Sequence, residues 1–155
     1  MNFNTKPYHD PLAVAVSLLA LALFAVTPAP AQEAQSQSRT HQLRANIAIA
    51  RSIAPEVAKR YGIDQGPRSA IVDVVVIRLE GKHETVPAAV EVRASNLTGQ
   101  TTQVRMRAMP EAGRTSYLGV YRFVPDEVTD FDVVAKPENS GEELRAHVRE
   151  HFPAD

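Results

Sequence analysis

Two histidines near the end of the chain have a spacing that could hold a metal ion. His147 and His151 are four residues apart. In a helix, one turn would bring both rings to the same side, where they could share an ion. In a strand they would lie about 13 Å apart, too far for one ion. Apolar and charged residues alternate throughout 143–152, which favours the strand. We therefore expect no bound metal or cofactor, and His83, His147 and His151 are the candidates if a metal does bind.

A carboxylate interrupts the most apolar segment of the chain. Asp73 lies in the middle of a run of valines and isoleucines over 70–79. A buried carboxylate must be paired or hydrogen-bonded. One interpretation is an outward side chain in an ion pair with Arg93 or Arg122 on a neighbouring strand. The other is that Asp73 forms one wall of a polar pocket.

The third feature that could bind a partner is the abundance of arginine, since the chain has thirteen arginines and four lysines. Arg105 and Arg107 form one closely spaced pair, and Arg145 and Arg149 form another. Strand spacing would place each pair on one face of a strand. Guanidinium groups bind carboxylates and phosphates well, so such a face could dock an anionic partner. The alternative is an ordinary solvated surface.

Signatures of catalysis are missing from the sequence. No serine outside the first 31 residues lies in a Gly-x-Ser-x-Gly or Ser-x-x-Lys motif. The chain has no cysteine, which excludes thiolate nucleophiles and disulfides, and it has no tryptophan that could form a sugar platform. Its net charge of −1 argues against general nucleic-acid binding. The sequence predicts a protein that is not an enzyme.

The N-terminal segment has the pattern of a signal peptide. Residues 12–26 are fifteen uncharged, mostly apolar residues, too few for a membrane span of about 20. Ala29, Pro30 and Ala31 follow, which predicts cleavage between Ala31 and Gln32. We expect a signal peptide over 1–31, a flexible lead over 32–39 and one domain over 40–155. The mature protein would lie in the periplasm with no membrane span, although an uncleaved anchor is the alternative.

Period-two alternation dominates the remaining chain. Seven runs alternate between apolar and polar residues and are separated by glycine and proline. In the second run, Val72, Val74 and Val76 share the predicted core face. One short helix is expected after the first run, with Pro55 in its first turn and Gly62 at its end. The pattern predicts an all-β fold, an immunoglobulin-like antiparallel β-sandwich of about seven strands.

Three segments resemble a known family. They are Ala54–Ile63 (APEVAKRYGI), Val86 through the NLTGQ segment at 96–100, and Tyr117–Phe123 with the Phe-Asp-Val strand that follows. They are similar to proteobacterial secreted proteins known as domain of unknown function 4426, DUF4426. The resemblance runs from about 43 to 152 and implies a single immunoglobulin-like sandwich behind a signal peptide. It implies no activity, and the first strand here lacks the aromatic residues of that family.

These observations favour an exported, non-enzymatic module that binds an envelope or protein partner. A small-ligand or metal-binding periplasmic carrier is the alternative. An exposed sheet edge or an apolar face without a pocket would favour the first function. A polar pocket around Asp73, or convergence of His83, His147 and His151, would favour the second.

Overall fold

Nine strands form two antiparallel sheets packed face to face in a computed structural model that describes residues 32–154. The expected signal peptide, including Ala31, lies outside the described residues. The five-stranded sheet has the order β1-β2-β3-β7-β6, and the four-stranded sheet has the order β5-β4-β8-β9. The strands are β1 (Gln32–Gln37), β2 (His41–Ile49), β3 (Ser69–Arg78), β4 (Ala88–Asn96), β5 (Thr101–Val104), β6 (Met106–Glu111), β7 (Arg114–Arg122), β8 (Glu127–Pro137) and β9 (Leu144–Phe152).

The core lies between the two inner faces, as the alternation predicted. Val72, Val74 and Val76 of the central strand β3 have no exposed surface. Aromatic rings fill one end of the core, where Phe123 stacks on Phe152 with ring centroids 4.3 Å apart. Tyr121 meets Phe131 edge to face at 5.2 Å. Offset and edge-to-face ring pairs add to the stability gained by burial. The predicted all-β sandwich is confirmed, with nine strands rather than seven.

The first additional strand comes from the segment that was predicted to be a flexible lead. Residues 32–37 form β1, which pairs with β2 in register from Gln32 opposite Ile47 to Gln37 opposite Gln42. Backbone hydrogen bonds to β2 hold this polar segment, and Ala34 packs against the core. The prediction was wrong because an edge strand needs little apolar surface when its neighbour supplies a complete ladder.

The second additional strand arises because the fourth predicted run divides at Arg105. Val104 ends β5 in one sheet and Met106 begins β6 in the other, so the chain crosses between sheets at this residue. The crossing passes close to Gly119 of β7. A Cβ atom there would lie 2.6 Å from Met106 Sδ and 2.7 Å from Val104 Cγ1. The absence of a side chain at position 119 lets the crossing approach β7.

One α-helix, α1 (Pro55–Tyr61), follows a short 3-10 turn over Ala50–Ser52. Pro55 occupies its first turn, and Gly62 ends it in the left-handed conformation with φ of 63°. A left-handed residue after the last turn satisfies free carbonyl groups and favours glycine. The helix that the sequence predicted is therefore confirmed. In the part of the chain that the structure describes, no helix has the length and hydropathy to span a membrane.

Polar side chains also link the two sheets. Glu142, between β8 and β9, accepts hydrogen bonds from Ser38 Oγ and Thr40 Oγ1, both at 2.9 Å. His41 Nδ1 lies 2.9 Å from the same carboxylate, and hydrogen bonds from Ser38, His41 and Thr40 lower the pKa of Glu142. Within the sandwich, Tyr117 Oη accepts a 2.7 Å hydrogen bond from the Ala88 amide of the opposite sheet.

Replacing Val74 with aspartate should unfold the domain. The side chain is completely buried at the centre of β3, and an unpaired charge there costs several kcal/mol. The matched control is Val120→Asp, because Val120 is 39% exposed on the adjacent β7. Thermal melts followed by circular dichroism should show a large loss for Val74→Asp and little change for Val120→Asp. Equal melting temperatures of Val74→Asp and the parent would refute the assignment of Val74 to the core face.

Gly119→Ala should destabilise the fold by about 1–3 kcal/mol, because its methyl group would collide with Val104 and Met106. The Val104→Ala background removes the less flexible of these two obstacles. Urea denaturation of the double-mutant cycle should therefore show a smaller cost of Gly119→Ala in that background. If the two substitutions lower the free energy of unfolding additively, the close approach of the crossing segment to Gly119 is contradicted.

Candidate functional site

An open cleft of about 790 Å³ lies on the outer face of the five-stranded sheet, beside α1. Outward side chains of four neighbouring strands form its floor, and α1 with the segment after it forms one wall. The turn between β6 and β7, together with Thr85, forms the opposite side. The floor consists of Asn46, Ala48, Ile71, Asp73, Val75, Met109, Ser116 and Leu118, and the helix-side wall consists of Ile53, Val57, Tyr61 and Ile63.

Helix α1 packs on this outer face through a small hydrophobic cluster that is separate from the main core. Ala58 and Ile63 are buried against Ile71 of β3, and Leu118 of β7 packs beside them. Gln65 supports the segment before the helix, since its Nε2 donates to the carbonyl oxygens of Ala50 and Ile53 at 3.1 and 2.6 Å. The wall of the cleft is thus a packed element of the fold.

Two contacts join the end of α1 to the edge strand β6. Arg107 Nη2 donates a 2.7 Å hydrogen bond to the carbonyl oxygen of Tyr61. The Tyr61 hydroxyl donates to the carboxylate of Glu111, and this hydrogen bond raises the pKa of Tyr61. The helix is therefore held to both the centre and the edge of the sheet.

The floor of the cleft contains two polar side chains without partners. Asp73 and Asn46 lie directly opposite each other on β3 and β2, a position that brings Cβ atoms within about 5.5 Å. Asn46 Oδ1 is buried and has no hydrogen-bond partner among the described residues. No hydrogen bond or ion pair of the described chain reaches the Asp73 carboxylate, and burial raises the pKa of this group. Asp73 therefore lines this cleft, and its role as the wall of a polar pocket stays a prediction.

The ion pair that sequence reasoning considered for Asp73 is absent from the described residues. Arg122 instead donates to Asp64 in the segment after α1. Arg93 belongs to the other sheet and lines a second, charged cleft of about 620 Å³ on its outer face. Strand neighbours could not be assigned from sequence, and the actual neighbours of Asp73 are Asn46 and Leu118.

The four arginines of the predicted partner surface do not share one face. Arg105 lies at the crossing between β5 and β6, and Arg107 is bonded to α1 over the five-stranded sheet. Arg145 and Arg149 project from β9 of the other sheet. They form ion pairs with Glu143 and Asp130, respectively. The expected two-strand arginine surface is therefore wrong, because the fourth run divides between the sheets.

The histidines are also distributed over the fold. His147 and His151 lie on strand β9, as predicted, and His147 contacts Asp130 and Asp132 whereas His151 contacts Asp126. His83 is exposed in the segment between β3 and β4. Within residues 32–154, no three or more His, Cys, Asp or Glu side chains form a group that could hold a metal ion.

Ser38 and His41 lie near each other, although they do not form a nucleophile and base pair. Ser38 Oγ donates to Glu142, and His41 Nδ1 contacts the same carboxylate. Both side chains therefore face one acceptor, and their arrangement links the turn before β2 to the segment before β9.

Sequence reasoning missed Asn46. It also missed a pair of unpartnered polar side chains that face the core from β8 and β9. Asn46 occupies an outward position of the first predicted run, which gave no sign that its oxygen would be covered. Glu150 faces inward, as the alternation indicated, and lies opposite Thr129. Glu150 Oε2 and Thr129 Oγ1 are both buried without partners in the described chain, and burial raises the pKa of Glu150. This pair lies at the core rather than in the cleft.

Comparisons with known proteins agree with this architecture. The sequence profile described as domain of unknown function (DUF4426) matches residues 35–154. A crystal structure of a DUF4426 family protein from Pseudomonas aeruginosa PAO1 is similar, with a TM-score of 0.66 and 20% identity over 79% of this chain and 97% of that one. No curated protein matches this chain in sequence.

Two structures of FetP from uropathogenic Escherichia coli strain F11 share the fold at TM-scores of 0.52. A copper-bound FetP variant is 11% identical over 78% of this chain and 97% of that one. FetP as isolated, expressed in the periplasm of Escherichia coli, is 12% identical over 82% of this chain and 97% of that one.

Asp73→Asn should stabilise the domain at neutral pH. Burial raises the folded-state pKa of Asp73, so the folded protein holds this proton more tightly than the unfolded chain does. Stability is consequently lost as the pH rises from the ordinary aspartate pKa through the raised value. The variant should melt a few degrees higher than the parent at pH 7, and this gain should shrink near pH 3.5.

Asp130→Asn is the control with the opposite sign, because the hydrogen bond from Arg149 lowers the pKa of Asp130. This ion pair contributes stability above the ordinary aspartate pKa that is lost as pH falls, so Asp130→Asn should melt slightly lower than the parent at pH 7. A lower melting temperature for Asp73→Asn at pH 7 would show that the Asp73 carboxylate is stabilised in the fold.

Proposed function

The chain belongs to the DUF4426 family, and from this premise we propose that it is an exported, non-enzymatic β-sandwich that binds a small ligand in the cleft beside α1. The proposal favours the carrier function over docking of a protein partner. The observation that carries it is the partly exposed Asp73 carboxylate, which has no hydrogen-bond or ion-pair partner in the described chain, on the floor of an otherwise largely apolar cleft.

Burial of these two side chains, Asp73 and Asn46, costs the fold stability. Asn46 Oδ1 is buried without a partner in the described chain, and such an atom costs about 1–3 kcal/mol. Asp73 is partly exposed, and burial raises the pKa of its carboxyl group. A ligand that donates a hydrogen bond to this carboxylate would offset the unfavourable burial of its charge.

The walls support the same function. Small-molecule sites are concave and mostly apolar, with a few polar groups that fix orientation. Val75, Leu118 and Val57 provide apolar surface around Asp73. The contacts of α1 with β3 and β6 hold the wall in place without a ligand, which reduces the ordering cost of binding.

The outer face of the other sheet is less suited to capture a partner. Several of its charges are paired with one another: Arg149 with Asp130, Lys136 with Glu143, and His147 with Asp132. A docking partner would have to replace ion pairs that already exist, and exposed ion pairs of this kind contribute little to affinity.

The expected periplasmic location and the lack of catalytic motifs in the sequence also support this function. The sequence pattern of residues 1–31 supports export to the periplasm, and the expression of FetP in that compartment is consistent with it. The absence of serine-hydrolase motifs and cysteine from the sequence supports a non-enzymatic role. The copper of FetP carries no weight for this chain, because the two proteins are 11% identical and residues 32–154 contain no group of three or more His, Cys, Asp or Glu side chains that could hold a metal ion.

Native mass spectrometry of the protein purified from the periplasm, without added metal or tag, tests this function. We expect an organic adduct of defined mass on the parent. Ala48→Phe should abolish the adduct, because Ala48 lies on the cleft floor. Ala89→Phe is the matched control, since Ala89 is exposed on strand β4 of the other sheet.

Circular dichroism should confirm that both variants keep the strand-rich fold. A bare mass for the parent, or an adduct that persists in a folded Ala48→Phe variant, would contradict ligand binding at this site.

A further inference from the structure

The charges of the cleft differ between its floor and its rim. Among the described lining residues, Asp73 is the charged group of the floor. Glu111 and Arg114, which flank the β6–β7 turn, lie opposite each other in the strand register. The two rim charges offset each other, and the floor is left with one carboxylate.

The neighbouring strands reinforce this acidic character. Glu33 of β1 lies opposite Asn46, which lies opposite Asp73, so three oxygen-bearing side chains form a row across the sheet. Arg44 lines a small pocket together with this row. It donates to Gln42, and its Nε is 3.9 Å from Glu33, so its contacts are with residues other than Asp73.

From this placement we infer, on the basis of the proposed function, that the ligand is an organic cation with a primary ammonium group on an apolar body. The ammonium group would donate to the Asp73 carboxylate, which is partly exposed in the cleft. The apolar body would lie against Val75, Leu118 and Val57.

The chemistry of the Asp73 carboxylate favours this class over others. An ammonium group has three donors and no acceptor, so it can donate to the carboxylate oxygens and leave a donor for water or for another ligand atom. Hydrogen bonds between charged partners are about twice as strong as neutral ones. A carboxylate ligand would instead place two anions side by side in a partly desolvated cleft, where like charges repel strongly.

A metal ion fits this floor less well than an ammonium group. Calcium takes six to eight oxygen ligands, and magnesium requires near-ideal octahedral geometry. The described floor provides one carboxylate, Asp73, with Asn46 and Ser116 as its other oxygen-bearing side chains, and no group of three or more His, Cys, Asp or Glu side chains includes them. Val75 and Leu118 near Asp73 suit a carbon chain rather than a hydration shell.

A titration with three probes of equal chain length tests the charge of the ligand. Hexylamine, hexanol and hexanoate would be added to the isotopically labelled mature protein at pH 7.5, and amide shifts would be followed by nuclear magnetic resonance. We expect hexylamine to shift amides around the cleft and to bind about tenfold more tightly than hexanol. Hexanoate should bind more weakly than both.

Two variants connect this preference to the proposed atoms. Asp73→Asn keeps the shape of the side chain and should reduce hexylamine binding about tenfold while leaving hexanol binding unchanged. Asp132→Asn removes a carboxylate from the outer face of the other sheet and should change neither. A dispersed amide spectrum verifies that each variant is folded.

The outcomes separate the two proposals. If hexanol shifts the cleft amides as strongly as hexylamine, or if hexanoate binds best, the cation inference is overturned while ligand binding in the cleft stands. Equal hexylamine affinity in Asp73→Asn and the parent also overturns the inference. If none of the three probes shifts amides of the cleft, both proposals fail.

Discussion

Packing between two inner sheet faces is the constraint on which the rest of this molecule depends. The chain has no cysteine, so side-chain contacts must join the sheets. Phe123 and Phe152 meet across the core at one end, and the Tyr117 hydroxyl accepts a backbone hydrogen bond across it. At the periphery, Glu142 connects the turn before β2 with the segment before β9. Because these contacts occupy the interior, binding surfaces must lie on the outer faces or edges.

The two outer faces differ chemically because the segments that connect their strands differ. The segment between β2 and β3 is long enough to include α1, which covers part of the five-stranded sheet and buries Ile71. This covering supplies an apolar wall to the cleft. The four-stranded sheet has no helix over it among the described residues, and its own cleft is lined mainly by charged and polar side chains. A single short helix therefore makes one outer face more apolar than the other.

The sequence predicted the elements whose pattern is decided locally. Val72, Val74 and Val76 indicated the core face of β3, Pro55 and Gly62 bounded the helix, and the alternation over 143–152 distinguished a strand from a metal-binding helix. The features that depend on neighbouring strands could not be predicted. Arg105 continues the alternation of its run, so nothing local indicated that the chain changes sheets there. Asp73 was recognised as unusual, but its position opposite Asn46 required the register between β2 and β3.

Strand β1 also affects how copies of this protein meet one another. Its sequence, QEAQSQ, is polar, and it covers the edge of β2, whose inward residues Leu43, Ala45 and Ile47 are buried. A β2 edge without this cover would present unpaired backbone groups beside an apolar face, which is a template for association between sheets. The polar strand β1 thus opposes association at this edge of the sheet. A chain shortened by these few residues would retain most of its core and yet acquire a tendency to aggregate.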